Sequence, residues 1–138
     1  MPDIENLQVG DELPTLTKGP VTRQMLVEWC GAENDYNTIH YSEEDARANG
    51  VPGTPIQGSY RLALLGRMIE RWMGSEAKLQ RVSASYRGWD LAGDTITCRG
   101  RVVRVSPGDG VVELDLWVEN QRGENTCPGH ATVQLPNR

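Results

Sequence analysis

The sequence predicts an α+β protein in which one long, mostly buried helix over 58–73 is wrapped by a curved antiparallel β-sheet. Two observations carry this. Residues 20–75 place apolar side chains at helical spacing, whereas residues 79–136 are rich in Val, Thr, Tyr and Trp and are broken by turn signals. That order, helices first and strands after, fits α+β and not alternating βαβ units.

The first helix is capped by Thr22, carries Met25, Leu26, Trp29 and Cys30 on one face, and is expected to stop near Gly31. Ser42 caps a second, short helix. Glu43, Glu44 and Asp45 sit in its positive first turn and Gly50 lies beyond its end. Between the two runs the polar loop NDYNTIHY. Pro52, Gly53 and Pro55 then forbid helix until Gly58. From there SYRLALLGRMIERWM puts Leu62, Leu65, Met68, Ile69 and Trp72 on one side, and Tyr60, Ala63, Leu64 and Met73 widen the apolar surface.

Strands follow at LQRVSASYRGW, DTITCRGRVVRVS, VVELDLWVEN and TCPGHATVQL, with hairpin turns at 107–110 and 121–125. Val112, Leu114, Leu116 and Val118 alternate with polar residues, the pattern of a sheet covered on one face. The 58–73 helix is the natural cover. A long helix wrapped by such a sheet is the hotdog fold, whose open sheet edges call for a second subunit.

The chain has 138 residues, which predicts a single domain over 1–138. With 38% hydrophobic and 24% charged residues it has the composition of a folded chain and not of a disordered one. Fourteen basic and 19 acidic residues give a net charge of −5 with no Lys/Arg run, so nucleic acid is not an expected partner. The start MPDIENLQVGDELP lacks the basic and apolar regions of an export signal. The longest apolar run, Leu62 to Leu65, is far short of the ~20 residues of a membrane helix. A cytoplasmic protein without membrane association is expected. Three widely spaced cysteines, Cys30, Cys98 and Cys127, form no disulfide framework and read as structural thiols.

Two histidines are available for chemistry. Asp35 and His40 lie five residues apart on the polar loop, where a carboxylate and an imidazole can converge on one water as acid and base near neutral pH. The same residue types also suit a turn-capping Asp and a structural His. His130 follows Cys127 without a second pair to complete a tetrahedral site, so no metal is expected and His130 reads as a strand residue. The glycines match no phosphate-binding motif. Gly58 opens the long helix, where free N–H groups and the positive dipole end suit an oxyanion, or where the turn after Pro55 simply requires Gly. Trp and Tyr side chains are read first as core and second as the lining of an acyl tunnel.

The stretch NDYNTIHYSEEDARANGVPGTPIQGS resembles the hydratase motif of the MaoC-like dehydratase family, hotdog proteins that include (R)-specific enoyl-CoA hydratases and 3-hydroxyacyl dehydratases. The motif runs Gly-Asp-x-Asn-Pro-(Leu/Ile)-His, then an acidic helix, then a loop ending His-Gly-Met. VGDELP and GPVT before it, and RVSASYRGWDLAGDTITCRGRVV and WVENQRGE after it, extend the resemblance over nearly the whole chain. It implies Asp35 and His40 as the catalytic pair, Asn37 as the residue that steadies the loop, and Gly58 as the backbone N–H donor to the thioester oxygen. Asn34 replaces the Gly before the Asp, Thr38 replaces the Pro, and Gln57-Gly58-Ser59 replaces His-Gly-Met, which alters the rim of the acyl pocket but removes no acid or base.

The implied activity is a hydro-lyase reaction, reversible addition of water to a 2-enoyl thioester to give a 3-hydroxyacyl thioester, with no metal or redox cofactor. The substrate carrier is coenzyme A or an acyl carrier protein, and Arg81 and Arg87 are candidates for the phosphates of CoA. The implied assembly is a homodimer or a heteromer with a homologous hotdog chain. Two alternatives are a hotdog thioesterase, disfavoured because Glu70 near the far end is the one acid of the 58–73 helix, and a mainly binding subunit, disfavoured because Asp35 and His40 are both kept.

Overall fold

The computed structural model describes residues 1–137. In chain order the elements are β1 (Leu16–Lys18), α1 (Arg23–Glu33), a 3-10 turn (Thr38–His40), α2 (Glu43–Ala48), α3 (Gly58–Met73), β2 (Lys78–Ala84), β3 (Ile96–Ser106), β4 (Val111–Asn120) and β5 (Asn125–Gln134). The strands form one antiparallel sheet in the order β1-β3-β4-β5-β2. Strands β3 to β5 are the expected meander. Strand β2 is not part of it. It crosses to the far side of β5, pairing Lys78 with Gln134 and Ala84 with Gly129. Register shifts at Leu79/Arg81, Val102/Arg104 and Val118/Glu119 add the extra twist that curls the sheet around α3, the hotdog architecture.

Helix α3 begins at Gly58 and ends at Met73, the expected bounds. Its Leu65, Met68, Ile69 and Met73 are buried in one cluster with Val102, Leu114, Leu116, Val118, Ala131 and Val133 from the sheet. Each fully buried side chain of this size contributes about 1.5–3 kcal/mol of transfer free energy. Gly100 in β3 lets the helix approach closely: a Cβ there would meet Met68, Leu13 and Leu116 at 3.2–3.3 Å. The helix is less enclosed than its composition suggested. Leu62 is half-buried and Ala63 exposed, because the row facing the sheet runs through Arg61, Leu65 and Met68 instead.

Three boundaries differ from the sequence expectation. Helix α1 continues past Gly31 to Glu33, and Asn34, at φ 58°, supplies the left-handed residue that ends it. Strand β2 stops at Ala84, short of Trp89, and the three-residue β1 between Pro14 and Gly19 was too short to signal itself. The caps are as expected: Met25 N–H donates to Thr22 Oγ1 and Asp45 N–H to Ser42 Oγ, both at 3.2 Å.

Candidate active site

The segment Thr54–Gln57, immediately before α3, is tied on both sides. The Ile56 N–H donates to the Asp90 carbonyl at 2.7 Å and the Ala92 N–H to the Thr54 carbonyl at 2.9 Å, a short antiparallel pairing centred on Pro55 and Leu91. The Pro55 carbonyl faces the other way and meets His40 Nδ1 at 2.7 Å. A carbonyl can only accept, so Nδ1 carries the proton of this bond. In neutral His40 the lone pair is therefore on Nε2, the atom left free to act as a base. The ring is held in place, with His40 only 9% exposed.

The loop that carries His40 is built by Asp35 and Asn37. Asn37 N–H donates to Asp35 Oδ1, and Asn37 Oδ1 caps the 3-10 turn by accepting from Ile39 N–H, each at 3.2 Å. The Tyr41 hydroxyl closes the loop by donating to the Tyr36 carbonyl at 2.9 Å. Asn37 thus steadies the turn that presents His40. Asp35 is exposed, and among the described residues no hydrogen bond joins it to His40. Its second carboxylate oxygen takes no part in the Asn37 bond.

Gly58 starts α3 two peptide units beyond the Ile56 anchor. The residue before it, Gln57, does not cap the helix: its side-chain amide turns inward, donating to the Leu26 carbonyl at 3.0 Å and lying 3.4 Å from Cys30 Sγ. The first turn therefore keeps uncapped N–H groups and the positive end of a 16-residue dipole. Gly58 is required sterically as well, since a Cβ there would come within 2.6–2.7 Å of the Tyr86 ring. The space above its Cα is filled by Tyr86, not left open for a ligand. Trp29 Nε1–H donates to Ser59 Oγ at 3.0 Å, and its ring packs tilted against Tyr60, centroids 5.1 Å apart; both rings border a cavity of about 300 Å³ between α1 and α3.

A buried polar group under this helix end was not apparent from sequence. Arg61 Nη1 donates to Asp90 Oδ2 at 3.3 Å and to the Gly88 carbonyl at 3.1 Å. Asp90 also accepts from Thr126 Oγ1 and, at 3.1 Å, from Asn120 Nδ2. The signal that could have revealed it is Arg61's position, four residues before Leu65 and seven before Met68, on the apolar row.

Arg87 lines a second cavity, of about 320 Å³, together with Arg61, Tyr86, Gly88 and Trp89. Arg81 does not; it is exposed on β2 opposite Thr132. Glu70 is exposed in the last turns of α3. His130 lies within β5, beside Ser83 and Asp115 in the register. All three cysteines are free and buried. Among the described residues no three His, Cys, Asp or Glu side chains cluster as a metal site would require, and no helix is long and apolar enough to cross a membrane.

Comparison with known proteins agrees with this architecture. The fatty acid synthase subunit beta of Aspergillus oryzae is 32% identical over 108 residues, which is 77% of this chain and 5% of that protein. Among solved structures, the (R)-hydratase from A. caviae involved in PHA biosynthesis superposes with a TM-score of 0.87 at 20% identity, covering 96% of this chain and 99% of that one. The crystal structure of the ChsH1–ChsH2 complex from Mycobacterium tuberculosis gives 0.84 at 22%, covering 94% and 98%. The family model described as MaoC like domain matches residues 5–121, and the chain belongs to that family.

Proposed function

We propose that this protein catalyses the reversible hydration of 2-enoyl thioesters to 3-hydroxyacyl thioesters, with Asp35 and His40 as the acid–base pair and Gly58 as the oxyanion donor. The observation that carries the reading is the His40 bond to Pro55. It fixes the free base of the ring on Nε2, and it does so through the same short segment that ends at Gly58. In the hydration direction one of the pair takes a proton from water as its oxygen bonds to C3. The electron pair of the C2–C3 double bond moves toward the thioester, whose oxygen becomes enolate-like, and the other member of the pair delivers a proton to C2. The Gly58 N–H and the α3 dipole meet the oxyanion charge, an effect worth about 3–4 kcal/mol where one such donor has been removed. Every proton is handled by a side chain or by the reacting water.

Membership of a hydratase and dehydratase family supports the reaction class. In this reading the carrier is coenzyme A or an acyl carrier protein. A second hotdog subunit, identical or homologous, is part of the reading. Residues 10–18 cover the β3 edge, whereas the outer edge of β2 has no strand neighbour among the described residues. The solved ChsH1–ChsH2 relative is itself a complex of two chains.

The test is to mix the purified protein with crotonyl-CoA and follow the enoyl-thioester absorbance and free thiol in parallel. Loss of the enoyl band with formation of 3-hydroxybutyryl-CoA and no thiol is the expected result. Thiol release at the rate of substrate loss would assign a thioesterase instead.

A further inference from the structure

We propose that Tyr86 is the specificity-determining residue of this site, a fixed aromatic wall beside Gly58 that admits 2-enoyl thioesters unbranched at C2 and excludes those carrying a C2 methyl. The proposal rests on Gly58 as the thioester-oxygen donor and deepens that reading.

The wall is in contact with the helix start. Carbon atoms pack at roughly 3.5–4.0 Å, so a ring that would lie 2.6–2.7 Å from an added Cβ is already packed against the Gly58 backbone itself. It is also held from both ends. The amides on either side of Tyr86 are bonded to β5, Ser85 N–H to the Pro128 carbonyl at 2.8 Å and Arg87 N–H to the Thr126 carbonyl at 2.9 Å, so its backbone is fixed to the sheet. Its ring faces the Arg61 guanidinium, 5.3 Å from the ring centroid. Arg61 cannot follow a moving ring, because Asp90 and the Gly88 carbonyl hold it in the interior. With 52% of its surface open, the Tyr86 ring is an exposed aromatic surface beside the start of α3.

Geometry of the substrate then sets what is excluded. In a thioester, C2 is two bonds from the carbonyl oxygen; in the proposed pose, with the oxygen held at the Gly58 N–H, C2 and anything attached to it lie alongside this ring. A hydrogen fits there; a methyl competes with the ring for the same volume. One methyl or methylene in a shaped apolar site changes selectivity by about 10–200-fold.

The experiment measures binding of butyryl-CoA and 2-methylbutyryl-CoA by calorimetry, together with turnover of crotonyl-CoA and 2-methylcrotonyl-CoA, in wild type, Tyr86→Phe, Tyr86→Leu and Tyr86→Ala. The saturated pair reports the wall even where no chemistry follows. Wild type and Tyr86→Phe are expected to prefer the unbranched ligand by about tenfold or more, and Tyr86→Leu and Tyr86→Ala to reduce that preference to about threefold or less. An unchanged preference in both smaller variants, or an indifferent wild type, overturns the proposal and leaves the hydratase reading intact. The expected binding pattern without any hydration overturns the hydratase reading and leaves the wall in place. Failure to bind any of these thioesters overturns both.

Discussion

Arg61 and Asp90 form an ion pair inside the protein, Nη1 to Oδ2 3.3 Å, with side chains 3% and 0% exposed. They come from the first turn of α3 and from the segment that pairs with Thr54–Gln57. The pair therefore ties together the two backbone segments that place Gly58 and, through Pro55, His40. Removing one partner of such a pair strands a buried charge and costs about 3–5 kcal/mol.

Arg61→Leu is accordingly expected to lower unfolding free energy by about 3–5 kcal/mol in urea titrations. Asp90→Ala should cost at least as much, because it leaves Arg61, Thr126 and Asn120 without their shared acceptor. The double variant should lose clearly less than the sum of the two, as expected for residues in one network. Additive losses would show that the two side chains stabilise the fold independently.

Acid stability should report on Asp94. Burial pushes its pKa up, but hydrogen bonds from Arg122, Gln121 and the Leu91 N–H, with the Arg122 charge, outweigh this and hold it below the usual aspartate value. A carboxyl depressed in the folded state stabilises fully above its unfolded pKa of about 3.9, and this is lost as pH falls through the lower folded value. Asp94→Asn should therefore melt lower than wild type at pH 7, with the two melting curves drawing together as pH falls below the unfolded value of about 3.9. A constant gap across that range would contradict the assignment.

The thiols should be inert in the native state. Burial, and next the neighbouring Cys127, push the Cys98 thiol up to about 12, and burial likewise raises Cys127. Reaction needs the thiolate. Iodoacetamide at pH 8 should leave native protein unlabelled by mass spectrometry and modify all three cysteines after denaturation. Rapid labelling of Cys98 in the folded protein would mean that the sheet opens locally around it.

Much of this arrangement was legible in the residues. Helix α3 announced its start, because Pro52, Gly53 and Pro55 bar helix before Gly58, and its end, where the apolar run closes at Met73. Asp35 and His40 stood out by type and spacing, and Asn37 through the resemblance to the hydratase motif. What escaped were facts set by distant contact. Gly31 reads as a helix stop, yet the left-handed residue is Asn34, since either side chain tolerates that conformation and only the packing decides. The pairing of β2 with β5 joins segments some 50 residues apart, which no local pattern encodes. Arg61 looks like a solvated helix residue until Asp90, 29 positions on, supplies its partner inside.

The catalytic assignment is decided by Asp35 and His40 together. Asp35→Asn keeps the acceptor that holds the Asn37 N–H while removing the carboxylate's basicity, so the loop should survive and the chemistry should not. His40→Gln removes the titrating ring and the free Nε2, leaving an amide that can still donate to the Pro55 carbonyl. General acid–base groups contribute about 10²–10⁴-fold each, so either change should lower kcat for crotonyl-CoA by that order. If the two act on one water, the double variant should fall little below the weaker single variant, because once either member is lost the other has no proton transfer to complete. His130→Gln, in β5 and outside this loop, is the control and should keep kcat within about threefold of wild type, the ordinary effect of a substitution away from the chemistry. Near-normal turnover in both single variants of an active protein would place the acid and the base elsewhere in the molecule.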